Sequence, residues 1–462
     1  MDSRLSRFDA VQYRDHLKGI DRRSMLRAGM LGAAGLALPD LLRWEAFADE
    51  AGHPTKRASS VIILWMRGGP SQHETWDPKP DAPSEIRGPF GAIPTRVPGL
   101  RISGLLPRSA SIMSKWSIIR SLHHEDAGHS GADQICFTGY PAGPSVDVNV
   151  APSCGSIASK QLQGRNPRLP AYVMIPRAVP GTEAAYLGPA YRPFETQADP
   201  AQDGPFVVPN LQAPAGLSVE RLSGRRQLLG ELDGLRRTVD QSGAMEAMDE
   251  FQQKAWEIVT GPEARRAFDL EAEPMKIRER YGFHPEFKAP TSDRCGCPAW
   301  SQRILLARRL VESGVRLVTV DLRWWDTHVE GIESMRDGFA TRWDQAYTAL
   351  IEDLEQRGLL DSTMVLAWGE FGRTPQLNAR NGRDHWPGVF SAAIAGGRIQ
   401  GGRAIGASDA KGAYPAENAK APQDVLATIY HHLGVDIHAE YPDHSGRPHP
   451  VLPFGRRIEE LF

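Results

Sequence analysis

The chain has 462 residues, and its 54 Lys and Arg against 56 Asp and Glu give a formal net charge of −2. That balance excludes the strongly basic surface of a nucleic-acid or anionic-membrane binder. Charged residues at 24% and hydrophobic residues at 41% exclude disorder, and four cysteines in this length exclude a disulfide scaffold.

In chain order, residues 21–48 (DRRSMLRAGMLGAAGLALPDLLRWEAFA) carry Arg22 and Arg23, a short apolar run over 28–39, and Ala46 and Ala48 around Phe47. That is the layout of a signal segment with an A-x-A cleavage site. An apolar run of about a dozen residues is too short to span roughly 30 Å of hydrocarbon, so stable membrane insertion is not expected. The reading is a twin-arginine signal peptide over 1–48 and a spacer over 49–58. The alternative is an amphipathic helix with a chance arginine pair. The signal reading implies passage through the twin-arginine export machinery and a periplasmic or extracellular mature chain.

Residues 59–65 (SSVIILW) form a continuous β-branched apolar run, the pattern of a strand buried on both faces of a parallel sheet. Gly68, Gly69 and Pro70 end it. Residues 116–121 and 171–175 predict two more strands, with a helix from Ser130 between them. The Pro/Gly-rich stretch 180–225 predicts loop or insertion, and 218–258 and 261–281 have helical period. A helix over 299–313, a strand over 315–322, a helix over 338–357 and a strand over 362–368 follow. The chain then predicts a strand over 389–395, a glycine-rich hairpin (GGRIQGGRAIG) and a helix over 422–433. Strands alternating with helices predict an α/β fold with helices on both faces of a largely parallel sheet. We read 59–462 as one body with an insertion at about 180–295.

Open parallel sheets bind ligands beyond the carboxyl ends of their strands. Five polar clusters fall there: Ser71, His73 and Asp77; His123, His124, Asp126, His129 and Ser130; Asp326 and His328; Glu370 and Arg373; Asp384 and His385. Histidines mixed with carboxylates suit Zn²⁺ or another borderline metal, and carboxylates also tolerate Mg²⁺, Mn²⁺ or Ca²⁺. Asp326 and His328, two apart on an extended segment, point to one side and can share an ion. Arg373 either holds an oxyanion bidentately or forms a structural ion pair. Ser130 either caps the following helix or serves as a nucleophile activated by a metal or base. Trp65, Trp76, Trp324, Trp325, Trp368 and Trp386 lie near these loops, as core packing or as an apolar or sugar-binding mouth.

The ordered set GGPSQHETWDPKPDAP, RSLHHEDAGHS…TGYP, WWDTH, WGEFGRTP, GRDHWPG and AGGRIQGGRAIG resembles an exported bacterial family known as domain of unknown function 1501, related to the alkaline phosphatase and sulfatase superfamily. The resemblance spans about residues 59–435. It implies an alkaline-phosphatase-like three-layer sandwich with a two-metal site at the carboxyl edge of the sheet, the ions about 4 Å apart. Asp326, His328 and His385 are then metal ligands, with Glu370 and His73 at a second site. Ser130 or activated water attacks, while His129 and Arg373 stabilise charge or move protons.

Three departures accompany it. Phe371 stands where the superfamily's Asp-His-Gly motif has histidine, the first strand ends in Gly68 and Gly69 rather than aspartate, so that His73 or Asp77 would have to substitute from farther along, and His129 fills the formylglycine slot without a following Pro or Arg. A standard formylglycine sulfatase is therefore not expected. The function expected is a metal-dependent hydrolase of phosphate or sulfate esters, acting on a small anionic ester or a sulfated or phosphorylated saccharide. The competing expectation is a non-catalytic binding or assembly protein that keeps the fold.

Overall fold

The structure, a computed structural model, describes residues 59–162, 169–209, 211 and 261–462. The signal and spacer up to residue 58 and the predicted helix over 218–258 lie outside the described residues.

Eight strands form the central sheet. In chain order they are β1 (Ser60–Trp65), β2 (Trp116–Leu122), β3 (Tyr172–Ile175), β4 (Phe194–Glu195), β5 (Leu317–Asp321), β6 (Thr363–Trp368), β7 (Phe390–Gly396) and β8 (Ala404–Ile405). Their spatial order is β8-β2-β7-β6-β1-β5-β3-β4. β7 is antiparallel to both neighbours and every other pairing is parallel. The register places Trp65 opposite both Asp321 and Trp368. The loops leaving β1, β5 and β6 therefore emerge side by side at one edge.

The unbroken apolar run of β1 has a direct cause. Ile62 and Leu64 face one buried cluster with Ile304, Trp343 and Leu350. Val61, Ile63 and Trp65 face the other, with Phe137, Ile157 and Ile429. The first cluster is covered by α3 (Ser301–Glu312) and α4 (Ala340–Gln356), the second by α1 (His129–Thr138), α2 (Cys154–Gln161) and α5 (Pro422–Leu433). Both faces of the sheet are thus sealed, giving the three-layer α/β sandwich expected. Truncating Leu64, fully buried at its centre, to alanine would cost about 2–5 kcal/mol.

Two expectations need correcting. The glycine-rich segment after β7 is not a hairpin. It crosses β2 and adds β8 to the far edge, parallel to β2, because Ser117 Oγ accepts from Arg403 N–H and β2 offers that edge. The stretch read as loop from 180 contains β4, paired in parallel with β3. Residues 261–281 are helical in two pieces, Pro262–Phe268 and Met275–Tyr281, with a single 3-10 turn at Leu270–Ala272 between them and Pro274 as the N-cap of the second. All four cysteines are free thiols. Among the described residues no helix is long and apolar enough to cross a membrane.

Candidate metal centre

β1 ends at Trp65 and its loop is pressed flat between the loops of β5 and β6. Gly68 and Gly69 have φ of +110° and +83°. A Cβ on Gly68 would sit 2.5 Å from the backbone nitrogens of Trp325 and Asp326, and one on Gly69 2.6 Å from the Phe371 carbonyl oxygen. Only glycine fits both the dihedral and the space. No carboxylate enters from β1; instead Gly68 N–H donates 2.8 Å to Glu370 Oε1, reaching over from the β6 loop.

Around this turn three imidazoles close on one carboxylate. His328 Nε2 lies 2.9 Å and His385 Nε2 3.0 Å from Asp326 Oδ1, and the two Nε2 atoms are 3.0 Å apart. His129 Nε2 lies 3.5 Å from Asp326 Oδ2. His129, Asp326 and His385 bring one ligand atom each within 4.8 Å of one another. An edge of about 3 Å between donors is what neighbouring ligands present to a single ion held at about 2.0–2.2 Å.

The outer nitrogens settle which ring atom faces inward. His385 Nδ1 donates 2.8 Å to the Ala127 carbonyl, His328 Nδ1 donates 2.8 Å to Asp384 Oδ1, and His129 Nδ1 donates 2.5 Å to Glu370 Oε1. With each Nδ1 carrying the hydrogen, neutral rings turn three bare Nε2 lone pairs toward Asp326. Lone pairs facing a carboxylate need positive charge between them, as protons or as a cation. Formally, the three carboxylates bonded to these rings, Asp326, Glu370 and Asp384, carry two more negative charges than the single guanidinium on Asp326, that of Arg373, offsets. Glu370 Oε2, fully buried, has no hydrogen-bond partner among the described residues. The donor set fits a divalent ion.

Without an ion the protons carry that burden. Burial opposes charge on His129, yet the hydrogen bonds of Asp326 and Glu370 outweigh it and raise the imidazole to about 9. Hydrogen bonding to Asp326 raises His328. Burial works against ionised Asp326, but bonds from His129, His328 and His385 hold its carboxyl far below the usual range. The bond from His328 lowers Asp384.

Other residues singled out in the sequence fall differently. Arg373 is fully buried. Its Nε donates to Gly69 O, Nη1 to Arg383 O and toward His328 Nε2, and Nη2 to Gly68 O, Trp325 O and Asp326 Oδ1. Four of its N–H groups meet oxygen acceptors and the fifth points to His328 Nε2, so its donors clamp the β1 and β5 loops and the cluster itself. Glu370 stands behind His129 rather than among the inward-facing donors. His73 is buried away from the cluster, its Nε2 on the Lys411 carbonyl at 2.9 Å, and burial, then Arg383, lower it to about 4. Ser130 is not the N-cap. Gly128 holds that position and α1 begins at His129, while Ser130 Oγ donates 2.6 Å to Asp147.

Phe371, fully buried, sets its ring 5.2 Å from that of His129 and 4.5 Å from that of His385. It closes the space a second ligand histidine would use. Trp65, Trp76, Trp325 and Trp368 are core, while Trp324 and Trp386 are partly exposed at the site. Trp324 meets His129 at 5.7 Å. Asp133 received no role from the sequence beyond its place after Ser130. It is fully buried, accepts from Arg67 Nε at 2.8 Å and Trp65 Nε1 at 3.2 Å, and burial holds its carboxyl well above the usual range.

Solved structures similar to the chain include the PsFucS1 sulfatase from Pseudoalteromonas sp., at 11% identity over 85% of this chain and 70% of that one, TM-score 0.36. A 2-O GAG sulfatase matches at 11% identity over 87% and 73%, TM-score 0.36. The lipoteichoic acid synthase LtaP from Listeria monocytogenes matches at 9% identity over 82% and 73%, TM-score 0.32. Likeness at this level says nothing about chemistry. A search of the curated proteins finds no match. Residues 58–462 match the family described as "Protein of unknown function (DUF1501)", which covers every described residue of the sandwich and its candidate metal centre, and the chain belongs to that family.

Proposed function

We propose that the chain is an exported, metal-dependent hydrolase of phosphate or sulfate esters, working with one ion rather than two. The observation that carries this reading is the inward turn of three Nε2 atoms onto Asp326, each ring fixed by an acceptor at Nδ1. His129, His328, His385 and Asp326 would hold the ion. A divalent ion there supplies Lewis acidity toward an ester oxygen and activates water at neutral pH. Glu370, Asp384 and the Ala127 carbonyl orient the three rings. Arg373 fixes Asp326, and Phe371 and Trp324 exclude water on their sides. The four side chains retain 22–34% exposure, so an ester can approach. Ser130, bonded to Asp147, is not the nucleophile in this reading.

The test is release of nitrophenol from p-nitrophenyl phosphate and p-nitrophenyl sulfate by mature protein, chelated and then restored with Zn²⁺, Mn²⁺, Ca²⁺ or Mg²⁺. Turnover that returns with an ion and is lost in Asp326→Ala supports the proposal. No turnover with any ion favours the second reading, a binding protein on the same fold, for which the buried, clamped Arg373 and the ring of Phe371 speak. We also propose that residues 1–48 direct twin-arginine export, tested by Arg22→Lys with Arg23→Lys, which should retain the protein in the cytoplasm.

A further inference from the structure

A second concavity opens at the same edge of the sheet, beyond the ends of β3 and β5. Its volume is about 470 Å³, within the roughly 300–1,000 Å³ of small-molecule sites and larger than a bare oxyanion needs.

Its base is rigid. Arg303, buried, grips Asp199 with Nε (2.8 Å to Oδ1) and Nη2, and donates Nη1 to Asp321 O at 2.7 Å. Asp321 in turn accepts Arg323 N–H at 3.0 Å and Arg323 Nε at 2.5 Å. The Arg323 side chain is thereby aimed, yet its Nη1 and Nη2 have no partner among the described residues. Arg177, an exposed residue of the same lining, has none there either. Gln197, Gln202 and Asp203 offer amide and carboxylate groups, and Phe206 with proline rings supplies an apolar wall. Two guanidinium groups with unused donors suit an anionic substituent. Amides, a carboxylate and an apolar wall suit the hydroxyls and C–H face of a sugar ring.

One indole links the cavity lining to the metal centre. Arg323 stands three residues before Asp326. Between them the indole of Trp324 lies 5.2 Å from the Arg323 guanidinium and 5.7 Å from the His129 ring.

We propose that this cavity binds a pyranose carrying an anionic substituent, with Arg177 and Arg323 on the anion and Gln197, Gln202 and Asp203 on the hydroxyls. That this sugar is part of the substrate rests on the hydrolase reading above; that it binds does not. The test is saturation-transfer NMR on chelated protein with glucuronic acid, glucose 6-sulfate and glucose, with no turnover required. The expected result is saturable binding of both acidic sugars, with glucose about tenfold weaker or more. Binding of only the carboxylate or only the sulfate sugar names the source of the charge and supports the proposal. Arg177→Ala, an exposed change that keeps the fold, and Arg323→Gln should each bring the acidic sugars toward the glucose level, and Asp326→Ala should leave them bound.

Equal affinity for all three sugars, acidic-sugar binding unchanged in both arginine variants, or no saturable binding of any sugar overturns it. Sugar binding without ester turnover defeats the hydrolase reading alone. Turnover of nitrophenyl esters without sugar binding defeats this one alone.

Discussion

The Nε2 atoms of His328 and His385 face each other at 3.0 Å, with Asp326 Oδ1 within 3.0 Å of both. Both rings give their Nδ1 hydrogen to an outside acceptor, so the contact holds together only with a proton or a cation between the rings. Chelation should therefore lower the melting temperature by several degrees and restored Zn²⁺ or Mn²⁺ should recover it, since an ion at 100 times its Kd adds about 2.7 kcal/mol. Scanning fluorimetry of wild type and Asp326→Ala checks this. A wild-type melting curve indifferent to chelator and ion would remove the metal centre.

The same cluster sets a pH dependence for the ion-free protein. His129 is raised from 6.5 to about 9 in the fold, so its proton stabilises the native state fully below pH 6.5 and that stabilisation is lost as pH rises through 9. Chelated protein should lose stability between pH 7 and 9 while ion-loaded protein does not. Denaturant melts at pH 6, 7.5 and 9 with and without ion decide it, and parallel curves would contradict the assignment.

Glu370 acts on the ion through His129. Glu370→Ala frees the Nδ1 hydrogen and should weaken ion affinity about 10–100-fold. Glu370→Gln retains an acceptor at Oε1 and should lose less. Competition with a chromophoric chelator measures both. Equal loss in the two variants would mean that the charge at 370 matters and the ring orientation does not.

Gly68→Ala forces a Cβ to within 2.5 Å of the Asp326 backbone nitrogen at φ +110°. The strain should cost about 1–3 kcal/mol and weaken ion binding as Asp326 is displaced. Calorimetry with ion titration tests both effects. A variant that melts and binds like wild type would show that the β1 loop is not confined as described.

Acid should act at His73. It is lowered from 6.5 to about 4 by burial and Arg383, so the neutral ring's contribution is present above pH 6.5 and lost as pH falls through 4. The shift corresponds to about 3 kcal/mol. His73→Gln should flatten the fall in stability between pH 6 and 4. An unchanged slope would point to His432, lowered to about 4 by burial, as the dominant acid-sensitive group.

The layers were legible because β1, β5 and β6 are short, buried and predominantly apolar runs and the helices between them keep an apolar face. The convergence of Asp326, His328 and His385 was legible because each follows a strand whose loop leaves the same edge. Depth was not legible. Glu370 and Arg373 occupy the same loop as Phe371, and sequence cannot say that the arginine is buried under two glycine turns with its donors clamping the loops around it. The β8 edge strand was missed because two residues carry no period, and Gly401 and Gly402 look like a turn when they allow passage over β2. Asp384 was visible beside His385, but only the fold brings it to the far nitrogen of His328.

The ring-bearing residues of the metal centre lie at positions 129, 328 and 385: at the first residue of α1 after β2, in the loop after β5, and in the connection between β6 and β7. No short stretch of the chain contains the centre, and closing it requires distant strands to pair first. An ion should thus bind late in folding, to the completed sheet and not to a partly assembled one. Ion release then reports the opening of the whole edge: a lesion in β6 or β2, far from any donor atom, should quicken it as surely as a change at His385.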